Sequence, residues 1–270
     1  MAIRVVDASD KHTGYISLCT HLDEEDQDHM RAAEMRERWL RLRSEKHGMK
    51  TKVALEADGR PQGFIHMVPI GSPISGMMGE DIMVIPCLTL NYQLVYGGVH
   101  GTGVGSALVE ACEEEAKKMG FKGLAVYAYT GDFWFMPSAF FERVGFKRAS
   151  EGSDIWVKRW ADVEDPKEPE VRYKFQPIPG KVVIDCFWSP FCLTVCKEVL
   201  NVRQAASEFG NGVKLREYRT DEPGSLVEFG MLRALFIDGQ RKFWGYEAPK
   251  EELRREIKKA LKEKGCQPEA

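Results

Sequence analysis

No stretch of this chain approaches the run of about 20 apolar residues that a bilayer-spanning helix needs. The opening MAIRVVDASDKHTG also lacks the charged-then-apolar pattern of an export signal. A cytoplasmic protein with no membrane partner is the expectation. Strong charge of one sign is missing too, with a formal net charge of −3 over 270 residues. Bulk attraction to nucleic acid or acidic lipid is therefore not expected. A disulfide framework is absent as well. The seven cysteines (Cys19, Cys87, Cys112, Cys186, Cys192, Cys196 and Cys266) are odd in number and mostly scattered, the pattern of free thiols. There is no internal repeat and no low-complexity tract.

What is present is the composition of a folded protein, 43% hydrophobic and 29% charged. The length allows one large domain or two ordinary ones. Residues 1–160 alternate strands and helices. IRVVDA reads as a strand. The segment from Asp23 to Gly48 reads as a helix, with Met35, Trp39 and Leu42 on one face, acids at its start and His47-Gly48 at its stop. Two strand-like runs flank Asp58-Gly59 as a hairpin. DIMVIPCLTL is apolar throughout, as a buried central strand is. A helix follows with Val104, Leu108, Ala111, Cys112, Ala116 and Met119 as its stripe, then the strand GLAVYAYT, a short helix PSAFFERVG and a closing strand pair. Residues 161–174 are rich in charge and proline and read as an extended linker. Residues 175–270 read as β-α-β-β-β-α, with a short helix near EPGSLVEFG.

The run VHGTGVGSALVEACEEEAKKMGF puts glycines at the mouth of an amphipathic helix. Unpaired N–H groups and the positive end of the helix dipole suit a phosphate there. An ATP loop of the Walker type needs a lysine that this turn lacks. A dinucleotide fingerprint is a weak match on spacing, since Ser106 and Leu108 fall where the last glycine belongs. His100-Gly101-Thr102-Gly103-Val104-Gly105 instead resembles motif A of the GCN5-related N-acetyltransferases, the GNAT superfamily. Phe141-Glu142-Arg143-Val144-Gly145-Phe146 resembles that superfamily's motif B.

The resemblance implies an α/β fold: a GNAT mixed sheet with flanking helices in residues 1–160, and a smaller domain after it. It implies acetyl-CoA as cosubstrate and direct attack of an amine, small molecule or peptide, on the thioester. Residues His100, Gly101, Thr102, Gly103, Val104, Gly105 and Ser106 would cradle the pyrophosphate. The strand end at Leu88 and Leu90 would offer backbone groups to the pantetheine arm, with Phe141 beside the cofactor. Two departures stand out. His100 replaces the usual Arg or Gln, and Phe141 replaces a frequent thiolate-protonating tyrosine. Glu80, before the central strand, is the candidate base. Tyr129, sharing a face with Tyr127, is the candidate catalytic tyrosine.

In the second half, VVIDCFWSPFCLTVC joins a strand to a helix start, where a thioredoxin-like fold carries Trp-Cys-x-x-Cys. Ser189 stands where the attacking cysteine belongs, and Arg233 where a cis-proline belongs. Cys192 and Cys196 share a helix face, and Cys186 ends the strand before. The three could hold a thiophilic metal, form a redox pair or be small buried residues. The pairing of domains is similar to the YoaP-like acetyltransferases. An acyl-CoA-binding sensor with a thiol- or metal-binding second domain, and a thiol redox protein, stay open beside the enzyme. The acceptor and the oligomeric state are not legible.

Overall fold

The computed structural model describes residues 3–19, 26–91, 102–131 and 135–265. The chain forms two compact units: Met1–Leu22 with Leu40–Pro169, and Asp23–Trp39 with Glu170–Ala270.

The first unit is a seven-stranded mixed sheet. Its strands are β1 (Arg4–Asp7), β2 (Lys50–Leu55), β3 (Pro61–Pro69), β4 (Ile82–Leu90), β5 (Gly123–Tyr127), β6 (Lys147–Arg148) and β7 (Ile155–Arg159), in spatial order β1-β2-β3-β4-β5-β7-β6. Only β4 and β5 run parallel. Their crossover carries the helix α3 (Val104–Lys118), preceded in the chain by α1 (Asp10–Leu18) and α2 (Gln27–Arg43). The expected β2–β3 hairpin turns at Gly59, whose φ of +89° suits glycine.

The apolar stripe of α3 lies on the sheet. Val104, Leu108, Cys112 and Ala116 are fully buried against Ile65, Met67, Met83, Ile85, Leu124 and Val126. Met119 is 41% exposed, because the helix ends at Lys118 and the stripe ends with it. A short helix, α4 (Ser138–Arg143), closes the unit's core with Phe141 and stops before Gly145, where φ is +95°.

The second unit is a four-stranded sheet in the order β11-β10-β8-β9. Its elements are β8 (Val182–Trp188), α5 (Leu193–Ser207), β9 (Val213–Arg219), α6 (Ser225–Phe229), β10 (Ala234–Ile237), β11 (Gln240–Lys242) and α7 (Lys250–Glu263). β8 pairs parallel with β9 and antiparallel with β10. Val182, Ile184, Cys186 and Trp188 face one way, as alternation requires, and pack with Val195, Val199 and Val202 of α5 and Leu253, Ile257 and Leu261 of α7.

Most of α2 belongs to this unit. Arg36, 1% exposed, donates from Nε to the Phe191 carbonyl at 2.8 Å. Trp39 Nε1 donates to Asp221 at 2.7 Å, and Lys197 Nζ to Asp26 at 2.7 Å. Asp26 also caps the helix by accepting from the Asp28 and His29 N–H groups. The proline-rich segment after Trp160 is extended yet anchored at both ends. Lys167 exchanges backbone hydrogen bonds with Met78 at 2.9 Å, and the Tyr173 hydroxyl bonds to buried Asp185.

Candidate active site

The parallel pair at the centre of the first sheet is short. β4 pairs with β5 only from Ile82 to Ile85, against Gly123 to Val126. β4 then runs on to Leu90 with β3 alone. Pro86 falls where the two strands part. Its ring leaves no N–H for a ladder, and proline within a sheet is confined to edges and bulges. A bulge is what the register shows: His66 opposes Cys87 and Val68 opposes Val84, so Met67 stands against both Ile85 and Pro86. The extra residue also reverses which side chains face α3. Met83 and Ile85 do so before it, Leu88 and Leu90 after it.

The open edge has defined polar groups. The Asn91 N–H donates to the Gln62 carbonyl at 2.8 Å, so Asn91–Gln62 is a hydrogen-bonded pair of the antiparallel β3–β4 ladder. Alternation then makes Leu88 and Leu90 the non-bonded positions, with N–H and C=O turned toward the β5 side. These are the strand residues singled out from sequence. No strand among the described residues pairs with this edge.

The N-terminus of α3 is the second component. Gly103 is its N-cap, with φ +77°, and a Cβ there would meet nothing within 4 Å. Glycine is needed for the backbone, and the space beside it is open. Gly105 is needed for another reason, because its Cβ would stand 3.1 Å from the Phe140 ring. The Ala107 N–H bonds to the Gly103 carbonyl at 2.9 Å, which leaves the N–H groups of Val104, Gly105 and Ser106 ahead of the first intrahelical bond. Val104 and Gly105 are buried, while Gly103 and Ser106 are exposed and Thr102 is half-buried. His100 and Gly101 lie outside the described residues.

Tyr129 follows the end of β5, half-buried, and its backbone is held by bonds to Met136 and Ser138. Burial, with a smaller contribution from Asp154, raises its pKa, so the hydroxyl keeps its proton at neutral pH. Tyr127 is occupied differently, donating to the Gly76 carbonyl at 2.8 Å. Phe141 is fully buried, packed edge-to-face with Phe140 and Phe146 at 5.0 and 5.4 Å. It serves the core under the α3 turn.

Two expectations need correction. Glu80 is exposed in the turn before β4. The strand rises about 3.3 Å per residue, so roughly 26 Å separates it from Leu88. Its charge is felt by Lys122, which Asp81 pairs at 2.9 Å. Glu80 thus stands at the wrong end of β4 to serve the opening.

The three-thiol metal site also fails. Among the described residues no three His, Cys, Asp or Glu side chains gather to hold a metal ion. Cys186 and Cys196 are core residues of the second unit. Burial pushes the Cys196 thiol up to about 12 and that of Cys186 higher still. The Cys196 Sγ points at the Pro190 carbonyl, 3.5 Å away. Cys192 is apart from them in character, half-buried at the N-cap of α5. Arg233 is held by Glu198 through two bonds of 2.8 Å.

Sequence reasoning missed Pro86 as the position at which β4 leaves β5, though a proline inside an apolar strand run was the available signal. It also missed a polar cluster on the other face of β4, formed by Tyr15, Cys19, His66, Cys87 and Thr89. Those residues are spread over three elements, so no local pattern joins them.

Residues 15–146 match the model of the acetyltransferase (GNAT) family. No curated protein matches the chain. Among solved structures, the chain is similar to a GNAT family acetyltransferase from Brucella melitensis in complex with acetyl-CoA. Identity is 15%, over 61% of this chain and 94% of that one, with a TM-score of 0.40. It is similar to the PaiA N-acetyltransferase from Thermoplasma acidophilum in complex with coenzyme A, at 18% identity over 59% and 100% of the two chains and a TM-score of 0.40. It is also similar to the N-acetyltransferase YhbS from Escherichia coli in complex with CoA, at 15% identity over 58% and 81% and a TM-score of 0.40.

Proposed function

We propose that this chain, which carries a GNAT acetyltransferase domain in residues 15–146, transfers the acetyl group of acetyl-CoA to an amine by direct attack on the thioester. The observation that carries the reading is the parting of β4 from β5 after Ile85, next to the free N-terminus of α3. An open strand edge and a helix N-terminus are what an amide-bearing arm ending in a pyrophosphate requires.

The N–H groups of Val104, Gly105 and Ser106, with the Thr102–Gly103 turn, hold the pyrophosphate. His100 and Gly101 would extend that cradle. The outward N–H and C=O of Leu88 and Leu90 bind the pantetheine amides as an added strand would. The thioester then lies in the opening, and an amine attacks its carbonyl carbon. The C–N bond forms, the C–S bond breaks, and the CoA thiolate leaves. Tyr129, neutral and at the end of β5, supplies the thiolate's proton that Phe141 cannot, and the proton shed by the acetylated nitrogen passes to water and, through solvent, restores Tyr129. The protein's share of the rate comes chiefly from holding the two reactants in line.

For the second unit the proposal is a thioredoxin-like domain. The parallel β8–β9 pair joined through α5, with β10 and β11 added antiparallel, supports it. So does Cys192 at the head of α5. The acceptor is a small-molecule or peptide amine, and the cytoplasm is the compartment in keeping with free thiols.

The test is CoA release on mixing the protein with acetyl-CoA and a panel of amines. Turnover is expected. Tyr129→Phe should lower kcat about 100-fold with acetyl-CoA affinity unchanged. Tight CoA binding without turnover on any amine would instead favour the sensor reading.

A further inference from the structure

Tyr15 lies on α1, with its ring edge-to-face on Phe64 at 6.0 Å between centroids. Its hydroxyl oxygen is buried and has no hydrogen-bond partner among the described residues. A buried hydroxyl oxygen with neither donor nor acceptor beside it is destabilising, so its presence calls for a partner that arrives later. The buried indole nitrogens of Trp156 and Trp188 are also unmet. Trp156 sits on β7, separated from β4 by β5 in the first sheet, and Trp188 sits on β8 of the second unit's sheet.

The surroundings of Tyr15 border the β4 opening. Phe64 is the register partner of Thr89 on β4. One turn beyond Tyr15, Cys19 Sγ lies 3.8 Å from Thr89 Oγ1, and Cys87 Sγ lies 3.3 Å from the same oxygen. Fully buried His66 stands opposite Cys87 in the ladder and bonds through Nδ1 to Thr51 Oγ1 at 2.7 Å. Cys87 and Thr89 alternate with Leu88 and Leu90, so this cluster occupies the face of β4 away from α3. Cys19 closes α1 with φ 59° and ψ −138°, a conformation that L side chains rarely adopt. Strain of that kind persists where the surrounding structure imposes it, often beside a working site. Among the described residues, neither a carboxylate nor a lysine or arginine belongs to the cluster.

We propose that Tyr15 binds the acceptor. Its hydroxyl oxygen takes a hydrogen bond from the attacking amine, on the face of the β4 opening opposite α3, and turns the nitrogen lone pair toward the thioester carbonyl. The inference rests on the acyl-transfer reading above. The uncharged surroundings select amines whose neighbouring groups are uncharged, so an amino-acid amide is a better substrate than the free amino acid. Tyr15 remains protonated while it does this, since burial and nearby Cys19 raise its pKa.

The full chain and Tyr15→Phe are assayed by CoA release with acetyl-CoA and four probes: tyramine, spermidine, L-leucine and L-leucinamide. L-leucinamide is expected to exceed L-leucine. In Tyr15→Phe the KM for the amine should rise about tenfold and kcat change less than about threefold. Acetyl-CoA affinity and melting temperature should hold, because the lost hydroxyl has no partner among the described residues. A KM within twofold of the native value would remove Tyr15 from the acceptor site and leave acyl transfer standing. A tenfold loss of acetyl-CoA affinity, or a marked fall in melting temperature, would also overturn it by giving the hydroxyl another role. Native protein that binds acetyl-CoA and acetylates none of the four overturns the acyl-transfer reading, and this inference with it.

Discussion

A methyl group added at Gly105 would stand 3.1 Å from the Phe140 ring, whereas one added at Gly103 would touch nothing. The two glycines of one motif therefore fail differently. Gly105→Ala overpacks the α3–α4 contact and should cost about 1–3 kcal/mol, seen as a lower melting temperature. Gly103→Ala meets only the penalty of a positive φ, about 1 kcal/mol. Its clearer effect should be weaker acetyl-CoA binding by calorimetry, since the N-cap must shift. Buried thiols give a third outcome at this scale. Cys112 and Cys196 have an ordinary value of 9.0, pushed up to about 12 by burial. Between those values the unfolded chain releases protons that the folded chain keeps. Stability must then fall as pH rises, by about 1.4 kcal/mol per pH unit for each group. Urea midpoints at pH 8 and pH 10 should show it, and a Cys112→Ala, Cys196→Ala double variant should lose less over the same interval.

At the scale of elements, the decisive feature is a strand that keeps one neighbour and drops the other. β4 stays on β3 to Leu90 but leaves β5 after Ile85. Pro86 sits at that point and removes the donor that pairing would use. Pro86→Val supplies both a donor and a β-branched side chain. The expected result is a fold of equal or slightly higher stability whose acetyl-CoA affinity is reduced about tenfold, because Leu88 and Leu90 no longer present a clear edge. Unchanged affinity would show that the bulge alone sets the opening. The α3 helix was readable in advance from its stripe and glycine stop-start signals. The opening was not, since it depends on how far two strands stay paired, and residues at 82–85 and 86–90 look equally strand-like.

At the scale of the molecule, chain order and compact unit do not coincide. Asp23–Trp39 groups with Glu170–Ala270. Buried polar contacts accompany that grouping: Arg36 on the Phe191 carbonyl and Trp39 on Asp221. Asp221 is fully buried and also accepts two bonds of 2.7 Å from Arg219. A fragment of residues 170–270 should therefore be less stable than the same region in the whole chain, by about 1–3 kcal/mol for each buried group left unmet. Denaturant unfolding of the fragment checks this, and a peptide of residues 23–43 added in trans should restore part of the loss.

The sequence by itself determined the alternation of elements, the hairpin at Asp58-Gly59, the stripe of α3 and the glycine motif that resembles that of the acetyltransferase family. All of these are local, written in spacing, caps and turn residues within a few positions of one another. Tertiary structure alone decided that Glu80 stands at the far end of β4, that Cys186 and Cys196 are core thiols, and that α2 completes the second unit. It also decided that Tyr15 packs on Phe64, the register partner of Thr89, and that Cys19 and Cys87 approach the Thr89 hydroxyl. Such groupings depend on the burial and register of strands distant in the chain, and a one-residue bulge at Pro86 reverses which side chains face the site.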